Sequence, residues 1–139
     1  MKLTIRLQGS ARIILGLSLA LAGISHLTVL RQEFQAQVPA WLPLNTDFVV
    51  LASGAVEIAL GLALLFSGRL ASWVGLVTAA FFVAIFPGNI HQYVEGIDAF
   101  GLDTDQARLI RLFFQPVLVI WALWSTRAFS LFSGAKRRA

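Results

Sequence analysis

Apolar residues fall into four long runs separated by short polar segments. A membrane-spanning helix needs about 20 mostly apolar residues. The runs are Ala11–Leu30, with Arg12 at its start; Phe48–Phe66, with Glu57 near its middle; Leu70–Ile90, with no charge; and Leu109–Thr126, with Arg111 near its start. Between them lie Arg31–Asp47, the tight turn Ser67-Gly68-Arg69, and His91–Arg108. Lipid leaves no partner for open backbone, so each run is predicted to be helical. The pattern predicts an all-α integral membrane four-helix bundle, a single transmembrane domain over residues 1–139, with two longer loops at one end.

Composition supports the membrane as solvent. Hydrophobic residues make up 58% and charged residues 13% of the 139 residues, against about 45–50% and about 25% in soluble chains. Mean hydropathy is +0.77. Too few charges remain to coat a water-facing surface. With no cysteine, disulfides, thiolate metal sites and dithiol redox chemistry within the chain are excluded.

Charge sets the expected orientation. Lys2, Arg6, Arg12, Arg69, Arg127, Lys136, Arg137 and Arg138 fall on one side of a four-span chain. Every acid except Glu57 falls on the other: Glu33, Asp47, Glu95, Asp98, Asp103 and Asp105. Positive residues favour the cytoplasmic side, which predicts N-in and C-in in a multi-pass protein. The basic rim suits anionic lipid headgroups; because it is spread around a membrane boundary, it argues against nucleic acid as partner. A signal peptide over residues 1–22, cleaved near Ala20-Leu21-Ala22, is the competing reading. The apolar run continues to Leu30, longer than such a segment needs, and the charge bias fits four spans better.

Polar residues inside the spans are the candidate chemistry. Glu57 lies about 14 Å along its helix from the outer boundary, where a carboxylate is costly unless paired, hydrated or protonated. Ser53, Gly54 and Gly61 share its face, and small residues mark helix–helix contact. Gly16, Leu19, Gly23 and His26 form a matching face on the first span. His26 lies about 6 Å below the outer boundary. Side chains tilt toward helix N-termini, which brings His26 and Glu57 toward each other. The third span is expected to end around Phe86-Pro87-Gly88-Asn89-Ile90-His91, placing Asn89 and His91 at the outer mouth. The fourth opens with Arg111, then Gln115 one turn on and Pro116. The outer halves therefore carry a candidate ligand-binding or buried polar network of His26, Ser53, Glu57, Asn89, Arg111 and Gln115. Trp41, His91 and Tyr93 are candidates for its rim. Arg111 is the expected counter-ion of Glu57, with His26 second. The bland alternative is polar glue that fixes helix register. Taken singly, His91 reads as an interfacial loop residue and Gln115 as an interhelix hydrogen-bond partner. Trp121, Trp124 and Phe129 read as lipid-facing anchors at the inner interface.

Other chemistry is weakly signalled. His26, Glu57 and His91 have ligand types suited to zinc or iron, but no HxxxH or ExxH spacing occurs, and no metal site is assigned. The segment GAVEIALG lies inside a span and is no nucleotide fingerprint. No nucleophile–base–orienter set is present, and catalytic residues are unassigned.

Five segments together resemble the DoxX-like family of small bacterial membrane proteins. They are Ala22-Gly23-Ile24-Ser25-His26-Leu27; Val38-Pro39-Ala40-Trp41-Leu42-Pro43; Ser53-Gly54-Ala55-Val56-Glu57-Ile58 through Gly61-Leu62; Phe86-Pro87-Gly88-Asn89-Ile90-His91; and Arg111-Leu112-Phe113-Phe114-Gln115-Pro116. The resemblance covers about residues 11–127. Family members often have Ala at the position of Gly88, a mild departure. The resemblance implies a compact four-helix protein of the bacterial cytoplasmic (inner) membrane. It also implies a link to quinone-linked membrane redox systems, and distant relatives are similar to a receptor-assembly chaperone. Fold analogy does not choose among these.

Three expectations follow. The first is an accessory protein whose outward-facing polar pocket binds a small amphipathic molecule, quinone- or lipid-like. The second is a subunit of a quinone-linked oxidoreductase, in which His26 and Glu57 relay protons and a partner supplies electrons. The third is a scaffold or assembly chaperone, partnered by another membrane protein or by copies of itself. Transport is weaker, because four helices enclose little space and no broken inner helix marks an alternating-access site.

Overall fold

The computed structural model describes residues 1–135. It is all-helical: α1 (Lys2–Leu27), α2 (Arg31–Gln35), α3 (Thr46–Phe66), a 3-10 turn Gly68–Leu70, α4 (Ala71–Val94), α5 (Asp105–Ser125) and α6 (Phe129–Ala135). Four of these segments, α1, α3, α4 with its preceding turn, and α5, are long and apolar enough to cross a membrane. This is the architecture of a multi-pass membrane protein. The tail cations Lys136, Arg137 and Arg138, counted above toward the inner face, lie outside the described residues.

Helix boundaries depart from the apolar runs in two informative places. α1 begins at Lys2, well before Ala11, because backbone hydrogen bonding continues through polar residues that need no bilayer. α4 does not end near Pro87 but runs on to Val94. A proline removes one helical donor, and the chain tolerates that loss here. At their N-termini, α3 and α5 are capped in the way their sequences favour. The Asn45 side chain accepts from the Phe48 backbone N–H at 3.0 Å, and Thr104 Oγ1 accepts from that of Ala107 at 3.1 Å. Asp47 and Asp105 sit in the first turns, where the helix dipole favours negative charge.

The α1–α3 pair is antiparallel and unusually close, since Gly16 meets Gly61 and Gly23 meets Gly54. A methyl group on Gly23 would stand 2.5 Å from the Gly54 carbonyl oxygen, and one on Gly61 would stand 2.6 Å from that of Gly16. In lipid there is little hydrophobic drive between helices, so close van der Waals contact of small residues holds them. Nearer the turn end, Leu15, Leu19, Leu64, Ala79, Phe82 and Ala122 form the buried apolar core. Hydrogen bonds join the other helices there. Trp121 Nε1 donates to the Ala11 carbonyl at 2.9 Å, and Ser72 Oγ to that of Thr126 at 2.9 Å. Trp121, expected to face lipid, thus ties α5 to α1.

The loop end is built differently. Arg31 forms a two-pronged pair with Asp47, which fixes the start of the first loop on α3 and raises the Arg31 guanidinium above its ordinary pKa. Arg108 is buried and donates to Asp98 at 2.6 Å, to the Leu102 carbonyl at 2.9 Å and to Asp105 at 2.8 Å. It folds the second loop back over α5. Phe100 in that loop has φ 57°, a strained value for an aromatic residue. Two contacts hold it: its N–H donates to Glu33 Oε2 at 2.7 Å, and its ring packs edge-on against Phe34. The two loops are therefore clasped to each other above the helices.

Candidate functional site

Beneath the first loop lies a cavity of about 230 Å³. Its walls come from His26 on α1, Val49, Val50, Ser53 and Glu57 on α3, Ala84, Ile85, Pro87 and Gly88 on α4, and Arg111 on α5. Phe34, Gln37, Val38, Pro39, Trp41 and Leu42 cover it. Close packing sets the height of the cover: a methyl group on Gly88 would collide with the Gln37 carbonyl oxygen. Polar groups lie on the helix walls, and the cover is mostly apolar.

His26 and Glu57 are both buried, at 5% and 6% exposure, on neighbouring turns of the glycine crossing. His26 Nδ1 lies 3.0 Å from Ser53 Oγ and 3.3 Å from the Val50 carbonyl oxygen. Ser53 Oγ itself donates to the Val50 carbonyl at 2.9 Å. With the serine proton used there, Nδ1 is the donor to Ser53, and its contact with the carbonyl is attractive as well. That assignment leaves Nε2 facing Glu57 Oε2 at 3.5 Å. Neither atom has another hydrogen-bond partner, and both are sealed from solvent. The Phe34 ring packs on the imidazole from the loop side.

The α4–α5 wall is a chain of neutral hydrogen bonds ending on a cation. Gln115 is almost wholly buried. Its Nε2 donates to the Phe82 carbonyl at 2.7 Å, and its Oε1 accepts from Asn89 Nδ2 and from Arg111 Nη1, each at 3.2 Å. Asn89 and Gln115 thus stand behind the cavity and position Arg111, which lines it. The expected Arg111–Glu57 ion pair does not form, since no carboxylate among the described residues lies within salt-bridge reach of Arg111. The basic side chain nearest Glu57 is His26, at 3.5 Å. Arg111 is held aside by Gln115, one turn along its own helix.

The three residues expected at the rim are not placed together. Trp41 lines the cavity, whereas His91 and Tyr93 do not. The reason is the continued helix: beyond Pro87, α4 carries His91 and Tyr93 past the mouth, and the first loop occupies the space. Gln92 turns inward instead, 2% exposed, accepting from Gln37 Nε2 at 3.0 Å and donating to the Ile97 carbonyl at 3.2 Å. His91 consequently does not join His26 and Glu57. No cluster of three metal-ligating side chains occurs among the described residues.

Gln92, Arg108, Phe34 and Gln37 were not singled out from the sequence. Gln92 lies three residues after Asn89, and Arg108 three before Arg111. Helical spacing through Pro87 would have placed Gln92 on the inward face. The roles of Phe34 and Gln37 depend on loop folding that carries no periodic signal.

A family described as a domain of unknown function (DUF8561) matches residues 15–126. The chain belongs to this family. No curated protein matches the chain, and no solved structure does. The DUF8561 match covers the second half of α1, all of α3, α4 and α5, and both loops, so every residue that lines the cavity falls within it.

Proposed function

We propose that this protein is a four-helix membrane bundle, N-in and C-in in a bacterial cytoplasmic membrane. In this reading its outward-facing cavity binds the headgroup of a small amphipathic molecule, quinone- or lipid-like, and the protein serves as an accessory to a membrane redox system. The resemblance to DoxX-like proteins supports the redox setting. The observation that carries the binding role is the cavity itself. Its volume of about 230 Å³ exceeds the roughly 150 Å³ that holds a benzene ring. It sets His26, Ser53, Glu57 and Arg111 against apolar side chains, the mixture of an apolar lining and a few placed polar groups that binding sites use.

An internal feature favours a second reading, a scaffold or assembly chaperone. The Asn89–Gln115–Phe82 hydrogen bonds close within the protein, with only Asn89 Oδ1 left without a partner among the described residues, and such a chain fixes helix register.

Native mass spectrometry of protein released from its own membrane separates the two. The binding reading expects a co-purified small molecule on the wild type and its loss from Ser53→Phe, which fills the cavity. A bare wild type, or an adduct equally abundant on a folded Ser53→Phe variant, contradicts it and favours the scaffold.

A further inference from the structure

The charge balance of the cavity follows from its hydrogen bonds. Ser53 spends its proton on the Val50 carbonyl, so His26 Nδ1 is a donor and Nε2 is the nitrogen that faces Glu57 Oε2. Those two atoms are 3.5 Å apart, sealed from solvent and without other partners. Two lone pairs placed face to face in such a site are strongly unfavourable. One proton between them removes the conflict, as imidazolium with carboxylate or as imidazole with carboxylic acid. In either form the pair has no net charge.

Arg111 is then the cavity's one uncompensated charge among the described residues. Its hydrogen-bond partner, Gln115, is neutral, and no carboxylate among the described residues lies within 4.0 Å of it; Glu57 acts on it only at longer range and shares its own proton or charge with His26. A guanidinium held at membrane depth needs a counter-ion, and its planar fork matches an oxyanion. Gln115 takes one Nη, which leaves other N–H donors free.

Resting on the reading of the cavity as an amphiphile site, we infer that its occupant carries an oxyanion head, a carboxylate or a phosphate, seated on Arg111, with its chain against the apolar cover. Gln115 is a positioning residue that holds the guanidinium for this contact.

The test compares dodecanoate with dodecanol by calorimetry on the full chain in phosphatidylcholine nanodiscs, with short-chain phosphatidylglycerol as a third probe. Three proteins are used: wild type, Arg111→Gln, and Arg69→Gln as a charge control on the exposed turn far from the cavity. Because bilayer partitioning is common to all three, the ratio of affinities is compared between them. The wild type is expected to prefer dodecanoate by at least about tenfold, as a charge-assisted hydrogen bond supplies. Arg111→Gln should abolish that preference and Arg69→Gln should keep it. Phosphatidylglycerol binding with the same Arg111 dependence, and no dodecanoate binding, would equally support the oxyanion and assign it to phospholipid. Equal affinity for dodecanoate and dodecanol overturns the inference while leaving the amphiphile site intact. A preference retained in Arg111→Gln overturns the assignment to Arg111, with thermal melts showing that each variant is folded. Binding of none of the three probes overturns the amphiphile reading itself.

Discussion

Glu57 is costly wherever it sits in a membrane, and its surroundings determine how that cost is met. His26 Nε2 faces one carboxylate oxygen at 3.5 Å, and Ser53 with the Val50 carbonyl locks the imidazole from its other side. Removing the carboxylate leaves a buried nitrogen with nothing to meet, whereas an amide keeps a hydrogen-bonding group there. Glu57→Ala should therefore cost about 1–3 kcal/mol more than Glu57→Gln, the usual penalty for a stranded buried polar group. Thermal midpoints in detergent measure this. A lower midpoint for Ala than for Gln is expected, and equal midpoints would contradict it. That Glu57 and His26 share a contact was readable from the sequence, because helical spacing placed each on a glycine-lined face and the tilt of side chains brought them level. That Arg111 stands apart was not. Its distance from Glu57 depends on how Gln115 engages the Phe82 carbonyl on another helix, which no local pattern encodes.

At the level of elements, the α1–α3 crossing sets the depth and spacing of the polar wall. Gly23, one turn before His26, meets Gly54, the residue after Ser53, so the two helices cannot separate there without parting the site. Gly23→Ala is expected to destabilise by about 1–3 kcal/mol, as overpacking does, because its new methyl group would stand 2.5 Å from a backbone oxygen. Gly9, whose added methyl group would meet nothing, provides the comparison: Gly9→Ala should leave the melting temperature unchanged or raise it. Similar losses at both positions would show that the crossing is looser than described. The long helices were legible because their apolar runs are continuous. The end of α4 was placed a few residues early because a proline removes a donor and crowds the preceding turn, yet α4 continues through Pro87 to Val94. The loop cover was illegible for a different reason. Its clasp joins Glu33 to the Phe100 N–H and Gln37 to Gln92, contacts between distant segments, the first of them made by a residue with φ 57°.

For the whole molecule, the question is which end faces which compartment. The proposed N-in, C-in arrangement rests on the distribution of positive charge in the sequence and would turn the cavity toward the outside. A chain without cysteine makes this directly testable. In intact cells, Ala40→Cys in the first loop should react with a membrane-impermeant maleimide, while Ser67→Cys in the tight turn should react only after permeabilisation. The reverse pattern would invert the orientation and turn the cavity toward the cytoplasm. In either orientation the proposed function requires an occupied cavity. An experimental density map of the protein in native lipid tests that most directly. Elongated density is expected, with its head at Arg111 and its chain beneath Trp41. A cavity filled only by water, or closed by its own side chains, would contradict it.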